Sequence, residues 1–354
     1  MKIDQIMTGY ADGDAISNEA VTLRRIFRNW GHESEIYADP ACVSPTLRHD
    51  CRALADYRGR PNDICLHHYG IASTAADVFL AATARKIIVY HNITPAEFFD
   101  GFDDGVAARL RRARTALPAI ARGADAVWTV SQYNADELQA TGVPNVHVFP
   151  LVFASDPPTL EPDPMISRKF SDSLTNILFV GRIAPNKCIE DLIQAFAWYH
   201  LAINPFSRLI IVGSMWSSPR YYTMLRMLIG DLDLENVCFE GFASTPGLLA
   251  YYQLADLYVS TSVHEGYCLP LVEAMSHDVP VIARAIGGTP EAMDGAGVLY
   301  EDLAPVELGA LFERVLTDAA LRQTVLTSQR QRIQRAASRD VEAELKLLMA
   351  ALPG

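Results

Sequence analysis

Short apolar runs alternate along this chain with longer segments whose hydrophobic residues recur at helical spacing. In the first half the runs are Ile3–Thr8, Glu33–Ala38, Asp63–Tyr69, Lys86–Tyr90, Ala126–Ser131 and Val146–Leu151. In the second half they are Asn176–Gly181, Arg208–Gly213, Val237–Gly241, Leu257–Ser262, Pro280–Ala285 and Gly297–Tyr300. Strands that alternate with helices form parallel sheets covered by helices. The pattern therefore predicts two α/β domains.

A proline-rich segment separates the two sets of runs. Residues 155–164 contain four prolines, which favours a stiff extended linker over a helix or a central strand. We predict an N-terminal domain over residues 1–154 and a C-terminal domain over residues 165–330. Residues 331–354 have a helical pattern, and these helices either cap the second domain or cross back to the first.

Composition and charge narrow the class of protein. The 354 residues, half of them hydrophobic and a fifth charged, provide for two buried cores and exclude a disordered chain. The net charge of −12 argues against a nucleic-acid partner. The six cysteines have no zinc-binding spacing and are expected to be reduced thiols. No signal peptide or transmembrane run is visible, so a cytoplasmic location is expected.

The segment 264–275 contains two glutamates beside a predicted helix start. Pro270 suits the first turn of a helix, because its fixed φ is already helical. The free N–H groups of such a helix end favour a phosphate. Glu265 in the loop and Glu273 in the first turn would face one pocket and accept hydrogen bonds from sugar or ribose hydroxyls. Alternatively, Glu265 is a solvated loop residue and Glu273 only favours the helix dipole.

A second segment, 179–190, follows the linker. A buried strand is predicted to end at Gly181, and Arg182 and Lys187 lie in the loop before the next helix. Two cations beside a phosphate-binding helix end would hold a diphosphate and stabilise it as it leaves. Alternatively, the segment is an ordinary solvated loop with surface charges, since such a loop has the same composition.

In these segments the sequence resembles the nucleotide-sugar-dependent, retaining glycosyltransferases of family 4, which have the GT-B fold. The family's Gly-Arg loop with its following lysine, its two glutamates with seven residues between them, and its later Gly-Gly-Thr-Pro-Glu sequence occur in order between Ile177 and Tyr300. The resemblance implies two Rossmann-like domains that face each other across a cleft. It also implies a donor that is a nucleotide diphosphate sugar, with no metal and no other cofactor.

The resemblance assigns roles residue by residue. Arg182 and Lys187 would grip the diphosphate, Glu265 would hold donor-sugar hydroxyls and Glu273 the ribose. Further donor contacts would come from Gly181, Gly241, Gly266, Tyr267, Cys268, Leu269 and Pro270. Cys268 departs from the family, which often has glycine there, and its side chain would narrow the sugar pocket.

The N-terminal domain resembles the family less regularly. Gly13 lies in a loop between the first strand and the first helix, where its amide would approach a phosphate or the acceptor. Asp12 and Asp14 form a D-x-D pair, a pattern that occurs in metal sites but is also common in turns. His91 matches a family histidine that reaches the donor sugar. Weaker candidates for the acceptor side of the site are His68, Asn92, Thr94 and Ser131.

The segment 105–123 predicts a basic amphipathic helix. Leu110, Ala113 and Leu117 share one face, and five arginines between Arg109 and Arg122 occupy the rest. Such a helix either rests on an anionic membrane, at the inner face of the cytoplasmic membrane, or packs on a core with a solvated outer side.

These features together predict a retaining hexosyltransferase of polysaccharide or glycoconjugate biosynthesis. Its acceptor would be a glycan, a lipid-linked or a small-molecule hydroxyl. A nucleotide-sugar hydrolase, epimerase or phosphorylase of the same fold is an alternative, as is a non-catalytic partner subunit. The donor base, the sugar and the oligomeric state are left open.

Overall fold

The structure, a computed structural model, describes residues 1–151 and 160–352. These residues divide into two compact units. Unit 1 comprises residues 1–97, 105–151 and 339–352, and unit 2 comprises residues 98–104 and 160–338.

Unit 1 contains a parallel sheet of seven strands in the order β3-β2-β1-β4-β5-β6-β7. Its strands are β1 (Ile3–Met7), β2 (Ile36–Ala38), β3 (Arg52–Ala53), β4 (Ile64–Tyr69), β5 (Arg85–Tyr90), β6 (Ala126–Thr129) and β7 (Val146–Val148). Its helices are α1 (Ala15–Asn29), α2 (Thr74–Ala81), α3 (Asp104–Arg122, whose first residue belongs to unit 2) and α4 (Gln132–Ala140). The pattern of alternating strands and helices thus forms a doubly wound α/β unit.

Unit 2 repeats this plan with a parallel sheet of six strands in the order β10-β9-β8-β11-β12-β13. Its strands are β8 (Thr175–Val180), β9 (Ser207–Val212), β10 (Val237–Gly241), β11 (Leu257–Ser260), β12 (Val281–Arg284) and β13 (Val298–Tyr300). Its helices are α5 (Pro164–Lys169), α6 (Ile189–Ala202), α7 (Pro219–Asp231), α8 (Thr245–Leu254), α9 (Leu269–Ser276), α10 (Thr289–Met293), α11 (Pro305–Thr317) and α12 (Ala319–Ala337). The last helix of the chain, α13 (Val341–Ala350), belongs to unit 1.

Each sheet reverses its winding direction at one point, between β1 and β4 in unit 1 and between β8 and β11 in unit 2. In open α/β sheets, ligands bind outside the carboxyl ends of the strands at this switch point. The strand order therefore selects one place in each unit where a site is expected.

Each unit has its own hydrophobic core. In unit 2, α6 buries Ile189, Leu192 and Phe196, whose spacing of three and four residues places them on one helix face against the sheet. In unit 1, Leu23 and Phe27 of α1 pack in the same way. Leu345 of α13 is fully buried in this second cluster, so the end of the chain completes the core of unit 1.

All twelve predicted runs overlap observed strands, and β3 was missed because it has only two residues. The predicted linker is partly wrong, since Pro164 begins α5 and Asp163 caps it. Residues 155–159 of that linker lie outside the described residues. The units also differ from the predicted limits at residues 98–104, where Phe102 packs against the core of unit 2 and its ring lies 5.4 Å from that of Tyr221.

The basic helix α3 forms with its predicted apolar face buried, including Leu110, Ala113 and Leu117. Two of its arginines bond within unit 1: Arg109 donates to Ala72 O at 3.3 Å, and Arg114 pairs with Glu137. Membrane contact through its outer side stays a prediction. Within the described residues, no helix combines the length and hydrophobicity needed to cross a membrane. All six cysteines are described, and all are free thiols.

Candidate active site

Two loops of unit 2 meet at its switch point, residues 181–188 after β8 and residues 261–268 after β11. Asn186 is buried between them. Its side-chain amide donates to His264 O at 3.2 Å, and its backbone carbonyl accepts from Val263 N at 3.0 Å. These bonds hold the two motifs found in the sequence against each other. Sequence reasoning missed this joining role, because a single asparagine in a loop gives no signal of a distant partner.

Lys187 and Glu265 form a buried ion pair between these loops. Lys187 Nζ donates to Glu265 Oε1 at 2.6 Å, and the two side chains are 14% and 10% exposed. Burial favours a higher pKa for Glu265, but the charge of Lys187 and hydrogen bonds with Lys187, Ser262 and Cys268 outweigh it, so the pKa is lowered. Glu265 is therefore an ionised carboxylate and not a solvated loop residue.

Glu273 lies farther along α9 than the sequence suggested. The helix begins at Leu269, so Pro270 is its second residue and Glu273 its fifth, which lies outside the first turn. Tyr252 of α8 donates its hydroxyl hydrogen bond to Glu273 Oε2 at 2.8 Å. Burial raises the pKa of Glu273. The glutamate is thus oriented by Tyr252, a partner that no local motif reveals.

Cys268 occupies the position before α9 with a left-handed φ of 74°. This conformation suits glycine, because a side chain crowds the backbone there. Burial raises the pKa of the Cys268 thiol well above its ordinary value. The thiol is therefore neutral, and it lies beside Glu265 in the loop that precedes the helix.

Gly287 and Gly288 pack against the backbone of the loop that contains Glu265. A Cβ on Gly287 would lie 2.2 Å from Glu265 O, and one on Gly288 would lie 2.2 Å from Gly266 O. Gly288 N also donates to Glu265 O at 2.9 Å. The Gly-Gly pair seen in the sequence is required by the close approach of two backbones.

A second row of glycines lies at the carboxyl ends of β8, β9 and β10. Gly181 N donates to Val212 O at 2.9 Å, and Gly213 N donates to Gly241 O at 2.8 Å. A Cβ on Gly213 would lie 1.8 Å from Gly181 O. Gly213 was missed by sequence reasoning, because its only signal is a glycine at the end of a strand. Arg182, in the same region, is exposed.

At the switch point of unit 1, four polar side chains converge below the end of the sheet. His68 Nδ1 lies 2.8 Å from His91 Nε2, and His68 Nε2 lies 2.8 Å from Gln5 Oε1. Glu19 Oε2 lies 3.6 Å from His91 Nε2 and 3.8 Å from His68 Nδ1. Two of the predicted residues, His68 and His91, are thus in direct contact.

Burial lowers the pKa of His68 well below its ordinary value and that of His91 to about 3. Both rings are therefore neutral at pH 7. Sequence reasoning missed Gln5 and Glu19. The available signal was polarity at buried positions: Gln5 lies in a strand whose five residues are all buried, and Glu19 falls on the same face of α1 as Leu23.

Among the described residues, Glu19, His68 and His91 have the residue types of a metal site, with ligand atoms within 4.8 Å of one another. Ligand nitrogens of a tetrahedral zinc are about 3.3 Å apart, given a Zn–N distance of about 2.05 Å. The 2.8 Å between His68 and His91 is the length of a hydrogen bond. The three residues fit a hydrogen-bonded network better than a metal site.

Of Ser131, Asn92 and Thr94, the first two have structural hydrogen-bond partners within unit 1. Ser131 caps α4 by accepting from Asn134 N at 3.2 Å, and Asn92, with a left-handed φ of 78°, donates to Asn134 Oδ1 at 2.8 Å. Thr94 is half-buried. Ser131 and Asn92 are thus joined through Asn134, and an acceptor contact of these three residues stays a prediction.

The loop with the D-x-D pair is also used structurally. Asp14 caps α1 by accepting from Ser17 N at 2.9 Å, and Asp12 accepts from the Thr46 hydroxyl. Gly13 between them has a left-handed φ of 67°. Both carboxylates therefore serve the turn, and a phosphate or acceptor contact of Gly13 stays a prediction.

The arrangement defines a class of protein: two doubly wound units, with a cation and two carboxylates at the switch point of the second. Residues 167–338 match the family described as "Glycosyl transferases group 1". The match covers just under half of the chain and agrees with the resemblance to glycosyltransferases seen in the sequence.

Curated relatives agree with this family. The chain is 26% identical over 205 residues to the serotype-specific mannosyltransferase WbdA of Escherichia coli, covering 56% of this chain and 25% of that protein. It is 31% identical over 162 residues to a D-inositol 3-phosphate glycosyltransferase of Kineococcus radiotolerans, covering 41% of this chain and 37% of that protein. The chain thus spans between a quarter and about two fifths of the length of these relatives.

Solved structures resemble the whole chain. Sucrose-phosphate synthase from Thermosynechococcus elongatus has a TM-score of 0.76 and 19% identity, covering 99% of this chain and 98% of that one. Anabaena HepE, described in complex with UDP and glucose, has a TM-score of 0.71 and 20% identity, covering 99% and 100%. These likenesses confirm the predicted α/β fold of GT-B type with two Rossmann-like units.

Proposed function

We propose that this chain is a retaining glycosyltransferase that moves a hexose from a nucleotide diphosphate sugar to a hydroxyl group of a glycan, lipid-linked or small-molecule acceptor. The observation that carries this proposal is the buried Lys187–Glu265 pair between the two loops at the switch point of a group 1 domain. Support comes from WbdA, named as a mannosyltransferase, and from HepE, whose structure contains UDP and glucose.

Lys187 and Arg182 would bind the diphosphate of the donor. Arg182 is exposed and Lys187 has one carboxylate partner, so both can add hydrogen bonds to an entering phosphate. The chain as a whole carries a charge of −12. The positive field that a diphosphate needs must therefore be local, and these two side chains and the start of α9 would supply it.

The two glutamates would hold the hydroxyl groups on either side of the diphosphate. Glu265, kept ionised beside Lys187, would accept from donor-sugar hydroxyls. Glu273, held by Tyr252 through Oε2, would accept from the ribose. His91 of unit 1 would add a hydrogen bond to the donor sugar, as the family resemblance implies.

In the reaction, the acceptor hydroxyl would attack the anomeric carbon on the face from which the nucleotide leaves. The bond from that carbon to the phosphate oxygen breaks, and a phosphate oxygen takes the hydroxyl proton. The protein then contributes positioning and charge stabilisation rather than a nucleophile. No metal is required in this scheme, because the side chains of Lys187 and Arg182 balance the leaving charge.

Thermal-shift measurements against UDP, GDP and ADP and their hexose derivatives test this proposal. A ligand that binds only the native state stabilises it, by about 2.7 kcal/mol at a concentration of 100 times Kd. We expect one nucleotide and its sugar to raise Tm clearly. A flat response across the whole panel would contradict the proposal.

The double variant Lys187→Met with Glu265→Gln provides the matched test of the site. It removes both charges together and so leaves neither of them buried alone, and we expect it to lose the Tm response. Lys169→Met is the control, because Lys169 pairs with Glu240 at 2.7 Å in the same unit but is 55% exposed.

Release of nucleotide from the donor as fast without acceptor as with it would indicate a hydrolase instead of a transferase.

A further inference from the structure

A chain of hydrogen bonds leads from the interior of unit 1 to His91. Gln5, which is fully buried in β1, begins this chain. Its side-chain Nε2 donates to Ala20 O at 2.8 Å. A carbonyl oxygen can only accept, so the amide group of Gln5 has one orientation, and its Oε1 faces His68 Nε2 at 2.8 Å.

The next link follows from the same donor and acceptor rules. Gln5 Oε1 can only accept, so His68 must carry a proton on Nε2. Burial keeps this ring neutral by lowering its pKa. A neutral imidazole has one N–H, so His68 Nδ1 is unprotonated and acts as an acceptor.

His91 completes the chain. Its Nε2 lies 2.8 Å from the acceptor nitrogen Nδ1 of His68, so His91 donates from Nε2. Glu19 Oε2 lies 3.6 Å from this nitrogen, which is longer than a hydrogen bond, so the short contact with His68 fixes the position of the proton. The His91 ring is neutral because burial lowers its pKa to about 3, so its second nitrogen, Nδ1, has no proton.

We propose that Gln5 and His68 are positioning residues that hold His91 in the tautomer protonated on Nε2, so that His91 Nδ1 is a hydrogen-bond acceptor. A second part of the proposal rests on the proposed function: His91 Nδ1 accepts a hydrogen bond from a hydroxyl of the donor sugar. His91 then orients that hydroxyl and does not act as an acid. A sugar whose hydroxyl is replaced by fluorine, which cannot donate, would lose this bond.

His67 offers an internal control beside the chain. Its Nδ1 lies 3.0 Å from Ile6 O, which can only accept, so His67 carries its proton on Nδ1. Among the described residues its Nε2 has no hydrogen-bond partner. Two adjacent histidines of β4 are therefore expected to have opposite tautomers.

Long-range proton–nitrogen NMR spectra of ¹⁵N-histidine-labelled protein, without ligand, test the proposal. Each histidine is assigned by its single substitution. We expect Nε2 protonated and Nδ1 unprotonated in His68 and His91, with the reverse in His67. A proton on His91 Nδ1, or protons on both nitrogens of His68, would overturn the proposal.

Two variants test Gln5 directly. Gln5→Glu, with its buried carboxyl protonated, retains a donor for Ala20 O and an acceptor for His68 and should preserve both tautomers, whereas Gln5→Met removes the acceptor and should produce mixed tautomers in His68 and His91. His67 should be unchanged in both, and unchanged tautomers in Gln5→Met would refute the role of Gln5. If Gln5→Met does not fold, the wild-type spectrum still decides. The spectra need no substrate, so failure of the proposed function would leave this result standing, and the reverse also holds.

Discussion

The two switch points of this molecule are built in different ways. In unit 2 the charged residues come from two short loops, each with a motif that can be read along the chain, and they meet as the Lys187–Glu265 ion pair. In unit 1 the polar residues come from β1, α1, β4 and the end of β5, and neutral rings take the place of charges. A charged site is thus encoded locally, whereas a neutral buried network depends on distant positions.

The largest expected effect tests the charged site. Lys187→Ala leaves Glu265 buried without its partner, and breaking a buried pair in this way costs about 3–5 kcal/mol. The free energy of unfolding in urea should fall by this amount, and turnover should fall with it by about 10²–10³-fold, as for loss of one group that stabilises charge.

The exposed pair of the same unit is the control for that measurement. Lys169→Ala breaks the bond to Glu240, but exposed pairs contribute only about 0–1 kcal/mol. Equal losses in the two variants would mean that Lys187 is not a special buried partner. Wild-type turnover in Lys187→Ala would remove it from the proposed site.

The next largest effect is a difference between the two units in how their stability depends on pH. Burial lowers the pKa of His67 from 6.5 to about 4. A group with a depressed folded pKa contributes its stability fully above its unfolded pKa and loses it as pH falls through the folded pKa. For His67 this corresponds to about 3 kcal/mol, lost between pH 6.5 and 4, and His68 and His91 act in the same direction.

In unit 2 burial lowers the pKa of one histidine, His277, against three in unit 1. The lowered pKa of Glu265 costs stability below about pH 4.5, while the raised pKa values of Glu273 in unit 2 and Asp4 in unit 1 work in the opposite direction. Hydrogen exchange at pH 7.5 and 5.5, corrected for intrinsic rates, should therefore show earlier loss of protection in unit 1. His67→Asn, which retains a donor but does not titrate, should reduce that loss. Earlier opening of unit 2 would be inconsistent with this comparison.

The smallest expected effect concerns the backbone behind the charged site. Gly288→Ala places a Cβ against Gly266 O, and overpacking of this kind costs about 1–3 kcal/mol. Gly230→Ala is the matched control, since nothing lies within 4 Å of its Cβ inside α7, and alanine there should stabilise by about 0.5–1 kcal/mol. Thermal unfolding of the two variants measures both changes in stability. An unchanged Tm in Gly288→Ala would show that the loop can shift to make room for the Cβ.

Predictability follows the range of the interactions. The strands and the basic helix α3 were predicted because burial imposes a period on neighbouring residues. Pro270 lies in the first turn of α9 as predicted, but Glu273 does not, because the helix already begins at Leu269. Pro164 was assigned to a linker, although proline is also favoured in the first turn of a helix, where it lies in α5.

The sequence by itself determined the two α/β units, the order of the motifs and the resemblance of the second unit to glycosyltransferases. These depend on local spacing: hydrophobic period, prolines and glycines at turns, and charged residues a few positions apart. The tertiary structure decided which partners those residues have. Tyr252 with Glu273, Asn186 with His264, and Gln5 with His68 are joined across 21, 78 and 63 positions. The physical reason is that a hydrogen bond needs only closeness in space, which the order of strands in the sheets provides.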